Sequence, residues 1–476
     1  MIVNPIPSVL ASVAAAGLIA VSCPAVAAPR TAAERVAQDY LEVFDRGDRA
    51  AYAAFVHAHW PTFNPAEDEF AGLMDRNRDQ SGGYDRVEDD RADDSSVAEI
   101  VKSRLSDDYF RLDLQVAASA DHPIERLTLT PIERPADVPP PPRLSNAALI
   151  RLVNRNINAM GDFSGAVLIA RRGRVIYTRA GGLANLERDV PNTVATRFGM
   201  ASMGKMFTAV AIMQLVQAGK IDLNAPIGKY LTDYPNAETA HAVTIAQLLT
   251  HTGGTGDFFS KKWADNIARL KTPADYVAMF GTKPPAFPPG SKFDYSNFGY
   301  VILGRIVEVV SGQTYETYLR DHVFRPAGMA HSGLNGPPDA PSTRARSYVK
   351  ANMPKPPPAM LNGPATPAGG AYSTVGDMLE FAKALDTQVL LDKAHTERMI
   401  TPQVEGDEGP DGYGFQLRGA GGVRDVGHDG GGPGENGGFR ILNDGAAVIV
   451  VLSNVAPTWR ADKLCRFIAA RVELAD

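Results

Sequence analysis

The sequence predicts two α+β units in series: a small cone of helices and antiparallel strands over residues 29–134, and an antiparallel sheet sandwiched by helices, with a separate helical lobe, over 144–476. Three observations carry this. The chain has 476 residues, long for a single core. The stretch Pro135-Ala136-Asp137-Val138-Pro139-Pro140-Pro141-Pro142 makes an extended, semi-rigid connector at 135–143. Helical and strand periodicities occur on both sides of it in different orders: helices then strands before it, and two groups of strands separated by long helical inserts after it.

The first 28 residues contain no Lys or Arg, run apolar from 9 to 21, and offer Ala25-Val26-Ala27 ahead of Ala28-Pro29. This reads as a signal peptide cleaved after Ala27, too short to span a bilayer, and places the protein in the periplasm or outside the cell. Lipid attachment at Cys23 is the lesser alternative, because Ala20 stands where leucine is expected. Cleavage leaves Cys465 alone and allows no intramolecular disulfide. No other stretch reaches the roughly 18 apolar residues of a transmembrane segment.

Apolar residues make up 44% and charged residues 21%, and the net charge is −6 with no block of five or six like charges. Neither nucleic acid nor an anionic membrane is then expected as the main partner. The acidic stretch 88–94 reads as a solvated turn, since it lacks the glycine and distal glutamate of an EF-hand loop.

In the first unit, Val36, Tyr40, Leu41 and Phe44 form one stripe of a helix over 33–44, which breaks at Gly47 before a short helix through Tyr52 and Phe55. Phe110, Leu112, Leu114 and Val116 alternate with Arg111, Asp113 and Gln115, and Leu127 and Leu129 repeat the pattern. His57 and His59, two apart, point to different sides of a helix and make no metal pair. Packing or interaction is expected of this unit, not catalysis. The second unit opens with a helix over 146–160 and a hairpin, 165–170 and 175–177, turning at Arg172-Gly173. A helix over 203–218 follows, whose Met206, Phe207, Val210, Ile212, Met213, Leu215 and Val216 leave little polar surface, so burial on nearly all sides is expected. Strands at 414–417, 439–442 and 446–452 and a final helix over 461–474 complete it, and the cleft between sheet and helical lobe is the natural place for a site.

Ser202 and Lys205 lie three apart at the head of the apolar helix and so share a face. A serine hydroxyl needs a base within hydrogen-bond reach, which Lys205 supplies only when uncharged. Burial and the positive end of the helix both favour the neutral amine, and the free N–H groups of the same terminus, that of Ser202 included, suit an oxyanion. Tyr295 offers a phenol to share the proton traffic. Asn297 offers a side chain to hold Lys205 or a substrate amide. Gly430 lets the backbone pass close to a substrate, so the chain after His428 can add a second oxyanion donor. No metal or other cofactor is called for. Alone, a Ser-x-x-Lys is usually a capped helix with an exposed lysine. The stretch 199–205 also matches the Gly-x-x-x-x-Gly-Lys of a nucleotide-binding loop, but Met206 cannot ligate Mg²⁺ and no buried strand precedes it. His251 and His331 read as structural histidines beside loops.

Taken together and in this order, Ser202-Met203-Gly204-Lys205, Tyr295-Ser296-Asn297 and His428-Asp429-Gly430 resemble the three motifs of the serine β-lactamase and penicillin-binding-protein superfamily. The nearest branch is that of class C β-lactamases and related esterases and D-aminopeptidases. Residues 244–254, Pro326-Ala327-Gly328-Met329 and Pro367-Ala368-Gly369-Gly370 are similar to it as well, and the likeness spans 145–475. The resemblance implies a β-lactamase/transpeptidase-like sandwich, an acyl-enzyme on Ser202, and a base system of Lys205 and Tyr295. It also implies an oxyanion hole from the amides of Ser202 and Gly431, and substrate contacts from Asn297, His428 and Gly430. Class C enzymes carry Lys-Thr-Gly where this chain has His428-Asp429-Gly430. A histidine, mostly neutral at pH 7, grips a substrate carboxylate less well, so esters or D-amino-acid peptides and amides are expected as small-molecule substrates, with β-lactamase activity weak or absent. The alternative is a penicillin-recognising or peptidoglycan-binding sensor or scaffold that does not turn over. Specificity falls to the loops 255–271 and 350–364. The helices-then-strands order of the first unit, with Phe44-Asp45-Arg46-Gly47-Asp48 between the helices, resembles nuclear-transport-factor-like domains. The acyl group and the oligomeric state stay open.

Overall fold

The computed structural model describes residues 31–61, 63, 67–119, 121–334, 344–349, 361, 364–419, 421–456 and 460–474; the expected signal peptide, with Cys23, lies outside them. The first unit consists of helices Ala32–Arg46, Arg49–His59 and Glu67–Ser81 and a four-stranded antiparallel sheet, Tyr84–Ala92, Ser96–Ser103, Tyr109–Val116 and Ile124–Ile132, in chain order. Thr31 and Glu34 form a capping box at its start, and the stripe Val36, Tyr40, Leu41 and Phe44 is buried against the sheet residues Leu112 and Leu114 in a core of its own. Two expectations are corrected here. Helix Glu67–Ser81 is absent from the sequence reading because charged and polar residues dominate it and its apolar periodicity is weak; Ala71 and Met74 join the core among the described residues. The acidic stretch is mostly an edge strand that runs to Ala92. Only the end turns, where Asp93 accepts the backbone N–H groups of Ser95 and Ser96.

The second unit is built on an eight-stranded sheet in the order Val404–Gly406, Gly409–Asp411, Gln416–Leu417, Asp425–Gly432, Glu435–Leu442, Ala447–Ser453, Gly165–Arg171, Arg174–Gly181, with every neighbouring pair antiparallel. The hairpin turn at Arg172-Gly173 has both residues at positive φ, 48° and 71°, as a two-residue turn matched to strand twist requires. Side chains alternate between two cores, the period-two consequence of a sheet covered on both faces. Leu168, Val450 and Leu452 pack into the core that contains the helix Gly204–Gln217. Val167, Ile169, Ile449 and Val451 pack under Leu149, Val153 and Ile157 of helix Asn146–Met160 and Leu464 and Ile468 of helix Arg460–Ala469. This last helix stops at Ala469, short of expectation, because Val472 turns away to form a parallel bridge with Leu144.

Helix Gly204–Gln217 is buried from Gly204 through Met213 and again at Leu215, as its all-round apolar sequence predicts. The helices Ile245–Leu249, Pro273–Phe280 and Asn297–Ser311 share its core and form the helical lobe. Across from them, strand Asp425–Gly432 is anchored from behind. Arg440, fully buried on the neighbouring strand, donates to Asp429 at 2.9 Å, and Arg466 of the final helix reaches the same carboxylate at 3.6 Å. The first unit meets that final segment through Asp108–Lys463 (2.6 Å) and Asp107–Arg471 (2.8 Å).

Removing the Arg440 cation would leave buried carboxylates uncompensated. Arg440→Met is therefore expected to destabilise the protein by about 3–5 kcal/mol in urea unfolding. A loss under about 1 kcal/mol would show that the anchor is dispensable.

Candidate active site

The chain reaches Ser202 through a short strand, Phe198–Gly199, and enters the helix by a 3₁₀ turn, Ala201–Met203. Ala201 sits at φ 42°, a conformation uncommon for a residue with a side chain, so the turn that presents Ser202 is locally strained. It is held by neighbours that approach closely. Met200 N–H donates to the carbonyl of Ala371 at 2.7 Å, and a side chain on Gly369 would collide with the carbonyl of Ala201. Gly430 plays the same part from the opposite side: a Cβ there would meet the carbonyl of Met200. Gly430 therefore lets the strand pack against the nucleophile turn, one residue before Gly431 in the cavity lining.

Lys205 follows one turn on and is fully buried. Its Nζ lies 2.7 Å from Asn297 Oδ1, 2.7 Å from the carbonyl of Ala368 and 3.3 Å from Ser202 Oγ. When the amine is neutral, its two hydrogens go to the two close acceptors, and the lone pair is left for the hydroxyl of Ser202. Burial drives the Lys205 pKa down to about 7, against the opposing charge of Asp257.

Asn297 is delivered by local chemistry. Ser296 caps helix Asn297–Ser311 by accepting the N–H of Gly299 at 2.9 Å, which puts Asn297 in the first turn. Its Oδ1 faces Lys205 while its Nδ2 donates to Asp257 at 2.7 Å. Of the two roles the sequence left open, the structure gives it the holding of Lys205. Tyr295 presents the face of its ring to Lys205, 4.7 Å from Nζ, and its phenol hydrogen-bonds Ser202. Burial holds that phenol well above the ordinary tyrosine range, so it stays protonated and serves as a hydrogen-bond donor; a phenolate base, half of the expected base system, is not favoured here. His251 stacks on the Tyr295 ring at 4.3 Å and accepts the Ser296 N–H on Nδ1, which leaves its proton on Nε2. It is buttressing, as expected. His331 is exposed and tied into its loop by its own backbone N–H, which donates to Asp377.

His428 is buried near Lys205, with Nδ1 bonded to the carbonyl of Asp429, and burial with the Lys205 charge pushes its pKa down to about 3. It is neutral there and carries no charge with which to grip a substrate carboxylate, in line with the weak grip expected of a histidine. Gly431 does reach the cavity. Asp429 N–H points off the sheet edge to the Gln416 side chain, while the carbonyl of Gly430 points inward to Asn436. By the period of two, Gly431 N–H points off the edge like that of Asp429, on the side of Ser202. Ser202 N–H lies in the first turn, where no preceding turn offers it an acceptor.

Ser202 opens onto a cavity of about 260 Å³. Phe258, Phe259, Trp263 and Tyr276 give it an aromatic wall, Gly431 and Gly432 form another, and Arg344 and Glu435 are its charged residues. The aromatic wall comes largely from the loop 255–271 expected to set specificity; most of the other such loop, 350–364, lies outside the described residues. Asp257, Glu435 and Arg344 escaped the sequence reading, because isolated charged residues in polar loops and turns carry no periodic signal.

Residues 153–473 match the family model described as Beta-lactamase. Penicillin-binding protein 4 of Amycolatopsis lactamdurans is 33% identical over 304 residues, 59% of this chain and 77% of that protein. Among solved structures, a penicillin binding protein from Bacillus halodurans aligns with a TM-score of 0.58 and 31% identity over 67% of this chain and 97% of its own. A D-stereospecific amidohydrolase from Streptomyces sp. aligns at 0.55 and 25% over 66% and 95%.

Since the neutral amine of Lys205 is the form able to take a proton, the rate of covalent labelling by a fluorophosphonate should rise with pH through about 7. Asp257 holds that pKa up, so Asp257→Asn should move the rising limb to lower pH. A limb near the ordinary lysine value of about 10.4 would contradict the assignment.

Proposed function

Because the chain belongs to the beta-lactamase family, and its sandwich and helical lobe have the family's fold, we propose that it is a serine hydrolase working through an acyl-enzyme on Ser202. The observation that carries this is the Lys205 amine, buried to a pKa of about 7 and set with its lone pair towards Ser202 at the mouth of the cavity. In this reading Lys205 takes the hydroxyl proton as Ser202 Oγ attacks the carbonyl carbon of the substrate. The N–H groups of Ser202 and Gly431 receive the developing oxyanion. Collapse expels the leaving alcohol or amine, which takes its proton from the Lys205 ammonium by way of the Tyr295 phenol. A water then attacks the acyl-enzyme and gives a proton to the regenerated amine; as the acyl–Oγ bond breaks, the Lys205 ammonium returns that proton to Ser202 Oγ and the acid leaves.

The substrates proposed are small esters or D-amino-acid peptides and amides, in keeping with the amidohydrolase among its structural neighbours. His428, buried and neutral, supplies no cation for a β-lactam carboxylate, which favours weak β-lactamase activity. The non-turnover sensor is the second reading, but the first unit contributes no described residue to the cavity. Export to the periplasm or beyond rests on the first 28 residues; among the described residues no helix is long and apolar enough to cross a membrane.

Intact-mass analysis with a fluorophosphonate should show one adduct on Ser202. Ser202→Ala should lose it and lower p-nitrophenyl ester turnover by at least about 10³-fold. Nitrocefin should turn over more slowly than the ester. A Ser202→Ala rate equal to wild type would sink the hydrolase reading, and an ester acyl-enzyme that accumulates without release would favour the sensor.

A further inference from the structure

Glu435 begins the strand Glu435–Leu442, directly after the turn at Pro433-Gly434 and opposite Gly432 in the register. Its carboxylate accepts the backbone N–H of Ala201, the residue before the nucleophile, and faces the same cavity as Ser202. Room for it is built in. Gly199 has no positive φ that would demand glycine, yet any Cβ at that position would overlap the Glu435 carboxylate. Burial pushes the Glu435 pKa up, and the Arg344 charge and the Ala201 N–H work against that rise; Ser347 Oγ is 3.5 Å away, Arg344 lays its guanidinium over the Tyr372 ring at 5.0 Å, and no ion pair joins Arg344 to Glu435 among the described residues.

A carboxylate beside the nucleophile turn opposes the oxyanion that forms when Ser202 attacks, and in a low-dielectric cavity the penalty is larger than in water. A positive charge on the acyl group reverses the sign, while a neutral acyl group leaves the buried carboxylate unpaired. We propose that Glu435 selects acyl groups bearing a free primary ammonium, so that the preferred substrates are aminoacyl esters and amides whose side chain rests on the wall of Phe258, Phe259, Trp263 and Tyr276. This rests on Ser202 being the nucleophile. It excludes N-acylated peptides as good substrates, and it separates an aminoacyl hydrolase from a carboxypeptidase acting within a longer chain.

Glu435 also holds Ala201 in place, so the test must separate charge from shape. Glu435→Gln keeps an acceptor for Ala201 N–H and removes the charge. The measurement is the ratio of kcat/KM for D-alanine p-nitroanilide to that for N-acetyl-D-alanine p-nitroanilide. Wild type should favour the free amine by at least about tenfold, chiefly through KM. Glu435→Gln should bring the ratio close to one. A purely structural Glu435 would slow both anilides together and leave the ratio as it was, overturning the proposal. So would a wild type that shows no preference, or one that hydrolyses p-nitrophenyl propionate but neither anilide. If wild-type Ser202 takes no fluorophosphonate label, it is the hydrolase reading that fails.

Discussion

The Lys205 amine lies within reach of three acceptors that come from three separate parts of the chain: the hydroxyl of Ser202 on its own helix, the side chain of Asn297 at the head of another, and the carbonyl of Ala368 in a loop. Holding a lysine so, with no access to water, demands the rest of the architecture. The helix must be apolar all round to bury it. Ser296 must cap its helix so that Asn297 projects from the first turn, and Gly204 and Gly369 must lack side chains so that the loop can lie close over the nucleophile turn. Each of these is a local sequence choice whose purpose shows only at Nζ.

Around this amine the site is kept nearly free of other charges. Burial leaves His251 and His428 neutral and the Tyr295 phenol protonated, so each offers a fixed hydrogen bond or a ring face. Asp257 is the exception. Linked to Lys205 through Asn297, it opposes burial and keeps the amine from falling further. Full charges are instead concentrated behind the sheet edge, where Arg440 and Arg466 hold Asp429 next to His428. The end of strand Asp425–Gly432, past its pairing with Gln416–Leu417, is thus stiffened from one side and left free to offer the Gly431 N–H on the other. Glu435 brings one further carboxylate to the cavity, where it can discriminate between acyl groups.

What the sequence made legible was whatever depends on spacing. Ser202 and Lys205 share a helical face, the buried helix announces itself by its apolar residues, and the hairpin at Arg172-Gly173 carries its own turn chemistry. The resemblance joined Tyr295, Asn297 and Gly431 to them, and the structure brings all of these to one place. Backbone groups stayed hidden: the Ala368 carbonyl is a ligand for Lys205 that no residue type betrays. Burial was equally invisible at His428 and Gly430, whose neighbours Lys205 and Met200 come from a much earlier part of the chain. Helix Glu67–Ser81 escaped because charged and polar residues dominate its sequence.

The most direct measurement is the titration of Lys205 itself, by NMR of the resting protein carrying lysine labelled with ¹³C at the ε position and assigned by Lys205→Met. One resonance should titrate near 7, apart from the rest, and vanish in the variant. If every lysine instead titrates near about 10.4, Lys205 is an ordinary ammonium at neutral pH and cannot be the base that activates Ser202.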